Sequence, residues 1–246
     1  MKKDADTMDL PFTREDLFAK LHGAARMYWA TRRDQADKQR SRGGRDAGTR
    51  GQVTGGRQLD GFAALIRDVG IAAGFGPDEI FFNAAVPIPG YYRPQKNWDV
   101  VFLRGVQLVA AIELKSQSGS FGNNFNNRSE EAIGVARDFW TAYREKAFGV
   151  IAPPWLGYFL FVEDSEASTY PVALGKGPIP PMDVFVGSSY LRRYEILCER
   201  LMLERDYHAA ALVLSDKDTA TVRDGGGGVS AYAFFKSLYL FLRARS

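Results

Sequence analysis

One cysteine, Cys198, stands in 246 residues, which excludes an internal disulfide and any cysteine-rich zinc site. Histidine is nearly as scarce. His22 falls on a helical run among polar neighbours and His208 precedes an apolar strand, so both read as structural. Their scarcity argues against histidine-centred hydrolysis and His-ligated zinc. No Walker A sequence is present: the glycine run Gly225–Gly228 is not followed by Lys-Ser/Thr, so no nucleotide cofactor is expected. The opening MKKDADTMDLPF has two lysines but no apolar segment behind them, and no later stretch reaches membrane-spanning length. The expectation is a cytoplasmic protein with no membrane partner. A dominant charge is lacking too, since the net charge is +3.

What is present is a 46% hydrophobic composition, enough for a buried core. No low-complexity linker divides the chain. One domain is expected over 1–246, with a helical N-terminal region at about 13–75, an α/β core at about 76–215 and a closing helix at about 230–245. Among the cations, 22 are Arg and 10 Lys. The guanidinium fork matches phosphate and the O6/N7 edge of guanine, although a GC-rich genome produces the same bias.

Helical spacing predicts a first helix capped by Thr13, with Asp16 in capping-box register, and a second over Leu59–Ala73. Between them Arg32–Arg50 reads as a polar, basic stretch, either a solvated loop or an arm along a phosphate backbone. Glu79–Asn83 opens a strand and Val86–Lys96 reads as loop. Trp98–Leu103 and Val106–Gln117 form a β-hairpin. An Asn-rich loop, Gly119–Arg128, precedes a helix at Ser129–Lys146. Leu156–Val162 is a buried strand, Tyr190–Leu203 a helix, Ala210–Leu214 a short strand and Ser230–Arg243 the last helix. That order describes an α/β domain with a mixed sheet flanked by helices.

The informative segment is the hairpin. Side chains alternate along a strand, so Glu113, Lys115 and Gln117 share one face while Ile112 and Leu114 take the other. An acid and a base in an otherwise buried strand need partners. If the connection at Arg104–Val106 is odd in length, Asp99 lies opposite Ala111 and diagonal to Glu113, on the same face. A two-residue turn puts Asp99 on the wrong face. The expectation is therefore a three-residue connection with Gly105 in or beside a positive-φ position. Two converging carboxylates with open positions for water and phosphate suit Mg²⁺. Lys115 would orient or help deprotonate the attacking water and offset charge developing on phosphorus.

This layout resembles the PD-(D/E)XK nuclease superfamily, with Trp98 where the superfamily name has Pro. A closer resemblance, carried by AIELKSQ (111–117), FGNNFNNRSEEAIG (121–134), WTAYRE (140–145) and PWLGY (154–158), is to the XhoI-type restriction endonucleases. It implies Asp99 and Glu113 as metal ligands, with the Leu114 carbonyl beside them, and Lys115 as catalytic lysine. It implies Mg²⁺-dependent cutting of double-stranded DNA at the palindrome CTCGAG, after the first C on each strand. A two-fold homodimer follows from the palindrome.

Asn123, Asn124, Asn126, Asn127 and Arg128 are candidates for reading bases, since Asn pairs with adenine and Arg with guanine. Turn and cap chemistry explains some of the same asparagines. Gln117 is either a phosphate or water contact or a polar strand end. Glu79 and Glu130 are reserve acids for a second metal, and a helix-terminal role also explains Glu130. Two rivals stay open: a repair or phage nuclease without strict sequence choice, and a DNA-binding protein that does not cut.

Overall fold

A computed structural model describes residues 9–41, 56–83, 85–175 and 177–246. The first helix, α1 (Arg14–Ser41), begins at a reciprocal cap. Thr13 Oγ1 accepts from the Asp16 amide at 3.1 Å, and the Asp16 carboxylate accepts from Thr13 N–H and O–H. Leu17, Leu21, Ala24, Ala25 and Tyr28 bury one stripe of it. The helix runs on through Arg32 to Ser41, where the sequence suggested a loop. No Gly or Pro interrupts those residues, and Arg40 and Asp37 form an ion pair on its exposed side. The rest of the basic stretch, 42–50, lies outside the described residues.

After α2 (Asp60–Ala72) the chain enters β1 (Ile80–Phe82) and then a small antiparallel ribbon of β2 (Pro87–Pro89) and β3 (Gln95–Asn97). This ribbon occupies the segment expected to be loop. Its two prolines flank Ile88, which is buried in the core, so the pairing rests on one apolar anchor. The main sheet has the order β1-β4-β5-β6-β7-β8, with β4 (Val100–Arg104), β5 (Gln107–Gln117), β6 (Trp155–Glu163), β7 (Ala209–Ser215) and β8 (Val222–Asp224). The β5-β6-β7 core is parallel and the outer pairs antiparallel.

Helices cover both faces. Against one pack α1, α2 and the last helix, α6 (Ala231–Arg243), through Phe62, Phe159, Phe161, Phe234 and Phe235. Against the other pack α3 (Phe121–Arg144) and α5 (Tyr190–Leu203), through Phe139, Leu156, Leu160, Tyr194 and Leu212. A single turn, α4 (Glu166–Thr169), lies between β6 and α5. Ser189 and Ser230 cap α5 and α6, each accepting an amide at 3.1 Å. None of the helices among the described residues is long and apolar enough to cross a membrane.

Two local expectations are corrected here. The Asn-rich segment is not a loop: α3 starts at Phe121, and the asparagines fill its first two turns. Phe121 and Phe125 are one helical turn apart and pack on Tyr190 and Tyr194. Burying Phe121 gains roughly 1.5–3 kcal/mol and the half-buried Phe125 a smaller share, against a helix-propensity cost of at most about 0.7 kcal/mol per Asn. The apolar spacing wins. The hairpin connection is also not three residues long. Arg104 pairs with Gln107, leaving a two-residue turn with Gly105 at φ +57°. A β-bulge then supplies the odd residue: Leu103 pairs with Leu108 and Phe102 with Ala110, so Val109 has no partner. Val109 and Ala110 consequently both face the α1/α2/α6 layer, whereas Leu108 and Ala111 face α3 and α5.

Candidate active site

The bulge decides which acids meet. Beyond it the register is Val101↔Ala111 and Val100↔Ile112, so Asp99 comes beside Glu113 itself, one step nearer than the diagonal placement expected opposite Ala111. Both lie on the α3/α5 face. The Asp99 carboxylate reaches across to accept the Leu114 amide at 2.7 Å. Glu113 is 3% exposed, deeper than any surface ion pair. One of its oxygens, Oε1, is hydrogen-bonded by Lys115. Its Oε2 is paired with the Lys96 ammonium at 2.8 Å, so two lysines and no backbone amide neutralise this buried carboxylate.

Lys96 was not singled out from the sequence. It comes from β3, in the segment read as loop, and its ammonium also lies 4.9 Å above the Trp98 ring. No Glu/Asp-x-Lys spacing marks it; only the β2-β3 pairing, which turns Lys96 inward beside Ile88, could have.

The charges are coupled. Burial and the neighbouring Glu113 push the Asp99 carboxyl up to about 6, against the opposing pull of Lys115, the Leu114 amide and Lys96. Burial also disfavours the charge on Glu113, but Lys115 and Lys96 outweigh it and hold its carboxyl below the usual range. Lys115 is likewise desolvated, and the two acids more than compensate, keeping its ammonium charged. An ionised glutamate, an aspartate that resists ionisation and two lysines thus share one largely buried point.

An open cleft of roughly 750 Å³ leads to it. Arg32 of α1 and residues 58–59 line it, as do Arg93 and Lys96 of the ribbon and the outer end of β5. From α3 come Asn124, Arg128, Glu131 and Val135. Cations outnumber acids along this wall. Of the residues expected to read DNA, the structure brings Gln117, Asn124 and Arg128 to the cleft. Asn123, Asn126 and Asn127 are exposed and do not line it. Gln117 donates to the Gly119 carbonyl, and Asn124 to Ser120 O at 3.0 Å. Arg128 donates to Glu131 at 2.6 Å, while its buried Nε is without a partner. Glu163, at the end of β6, accepts from Ser118 Oγ at 2.7 Å and the Gly119 amide, fixing the turn that carries β5 into α3. Glu79 instead pairs with Arg104, away from the cleft, and Glu130 is exposed.

A six-stranded mixed sheet between two helical layers, with an acid pair and a lysine at the outer end of a buried strand, defines a restriction-endonuclease-like fold. The family described as Restriction endonuclease XhoI matches residues 38–225. The chain is 41% identical over 204 residues to the type II restriction enzyme BstVI of Geobacillus stearothermophilus, covering 79% of this chain and 91% of the relative. It is 44% identical over 202 residues to the type II restriction enzyme XhoI of Xanthomonas vasicola, covering 80% and 79%. Over 155 residues it is 44% identical to the type II restriction enzyme AbrI of Azospirillum brasilense, covering 62% and 69%. No solved structure matches the chain. The chain belongs to the XhoI restriction endonuclease family. It is a type II enzyme, a site-specific deoxyribonuclease that hydrolyses phosphodiester bonds.

Proposed function

We propose that this enzyme makes Mg²⁺-dependent double-strand breaks at CTCGAG, cutting after the first C on each strand to leave 5′ overhangs, as a cytoplasmic homodimer. The observation that carries the reading is Glu113: a buried, ionised carboxylate neutralised by Lys115 and Lys96 and facing a second carboxylate whose own ionisation it resists. Among the described residues no three His, Cys, Asp or Glu side chains converge, so a site here rests on two acids, completed by the Leu114 carbonyl, water and the substrate phosphate. That donor set suits Mg²⁺, which keeps several waters and takes one or two carboxylates. When bound, the ion supplies Lewis acidity and a more acidic water.

The chain's own groups do the rest. Asp99, locked to the Leu114 amide, and Glu113 would hold the ion. Of the two roles open to Lys115, the charged form that the acids maintain favours orienting the water and neutralising the phosphorane. Lys96 sits where it can hold a non-bridging or leaving oxygen once displaced from Glu113. Arg128, with a free Nε, and Asn124 face the same cleft and would contact the duplex; Gln117 supports the turn beneath them. Asn123, Asn126 and Asn127 would serve only DNA that wraps beyond the cleft onto the outer faces of α3. A palindrome read by one such site per strand calls for two copies of the whole chain, each working as one endonuclease unit.

The test is a plasmid digest with Mg²⁺ by wild type, Glu113→Ala and Lys115→Ala, with the fragment ends sequenced. Discrete fragments ending at one palindrome, lost in both variants, are expected. A smear from wild type would point to cutting without sequence choice, and cutting by Glu113→Ala would remove the assigned centre.

A further inference from the structure

The tip of the β2-β3 ribbon is held with unusual firmness for an exposed loop. Asp138 of α3, its side chain 5% exposed, accepts the Tyr91 and Tyr92 amides on Oδ1, each at 2.8 Å, and Arg93 Nε on Oδ2 at 2.7 Å. Consecutive amides closing on one anion form a nest, here turned inward to fasten a loop to a helix. Gly90 completes the fit, because a Cβ there would stand 2.6 Å from Asp138 Oδ2. At the ribbon's other end Ile88 is buried and Lys96 reaches Glu113.

Yet what this anchoring presents is apolar and in water. Tyr91 and Tyr92 are 55% and 68% exposed, their rings 5.2 Å apart and nearly perpendicular. Neither ring packs into the core clusters, so the anchored backbone holds both out in water. The next residue, Arg93, lines the active-site cleft. Large aromatics held rigidly before a ligand arrives lose little entropy on contact, which is how preformed binding surfaces use tyrosine. The occupant is set by what runs through that cleft: a polyanion bordered by Arg32, Arg93, Lys96, Lys115 and Arg128. Tyrosine suits duplex DNA there, with a hydroxyl for phosphate and a ring for sugar or base edges.

We propose that the Tyr91–Tyr92 tip is a DNA-contacting arm that grips the duplex beside the cut phosphate, and that Asp138 is its positioning residue. This rests on the cleft being the cutting site, so the test separates the two. Binding of a short duplex, centred on the site that plasmid digestion reveals, is measured by fluorescence anisotropy with Ca²⁺ replacing Mg²⁺. The Tyr91→Ala/Tyr92→Ala double variant should bind about tenfold or more weakly with an unchanged melting temperature. Asp138→Asn should lose about threefold with both tyrosines present. Lys115→Ala should not cut; if it cuts, the catalytic reading fails while the arm is judged by the binding of the tyrosine variants alone. Wild-type affinity in the double variant overturns the arm. Should that variant fold poorly, tetranitromethane nitration of wild type decides: both tyrosines reactive in free protein and shielded by the duplex supports the arm, and equal nitration with and without DNA overturns it.

Discussion

Asp138 and Glu113 are both buried carboxylates on the same side of the sheet, and they could hardly be treated more differently. At Asp138 burial is outweighed by two amides and a guanidinium, so the carboxyl sits below its ordinary range with its acceptors used. At Glu113 the balance is struck by the ammoniums of Lys115 and Lys96, and a second acid is pushed up nearby. Backbone donors cannot leave, whereas lysine chains can swing aside. A carboxylate satisfied by amides is architecture; one neutralised by lysines can exchange them for another cation, which is what the proposed metal role of Glu113 requires.

The largest effect that would sharpen this contrast is on cleavage. Glu113→Gln should cut at least about 10³-fold more slowly while keeping its fold, read from initial rates and a melting curve. A variant that unfolds would make Glu113 architectural after all. Next, Asp138→Ala leaves the part-buried Tyr91 and Tyr92 amides without their acceptor, costing roughly 1–3 kcal/mol and lowering the melting temperature by roughly 2–12 °C; the half-exposed Arg93 pairing adds little. An unmoved melting curve would break the comparison from the other side. Third, divalent-ion affinity should fall up to about tenfold per pH unit below pH 6, because Asp99 must first give up its proton. Titration calorimetry with Mn²⁺ between pH 5 and 8 checks this, and a flat profile would remove Asp99 from the site.

The smallest effect is on metal-free stability. Asp99 is raised from 3.8 to about 6, so the folded chain holds a proton that the unfolded chain releases, and stability declines as pH rises through that window. Asp99→Asn should therefore melt roughly 2–4 °C higher than wild type at pH 8, with the difference gone near pH 4, by scanning calorimetry without metal.

Much of this was legible in residue order. Period-two alternation put Glu113, Lys115 and Gln117 on one face, helical spacing marked α1, α2, α5 and α6, and unbroken apolar runs marked β6 and β7. The illegible parts share a cause: tertiary contacts overrode local preference. Asparagines favour turns, but Phe121 and Phe125 draw them into a helix. Prolines argue against strands, but Ile88 draws its neighbours into a ribbon, and Lys96 came into view only with that pairing. The side chains of the hairpin were read correctly in facing and wrongly in register, because a bulge leaves no mark in composition.

That unpaired Val109 has a consequence for variation in the family and for anyone editing the gene. Losing that residue itself would only smooth the strand, because Leu103↔Leu108 and Phe102↔Ala110 already pair on either side of it and Asp99 would stay beside Glu113. Losing one residue between Asp99 and Leu103 is different: facing flips with every single-residue step, and Asp99 would pass to the opposite side of the sheet, among the α1 and α6 aromatics. A single-residue gap is therefore tolerable at the bulge and not along β4, and an alignment that slides it freely through the hairpin will misplace the aspartate.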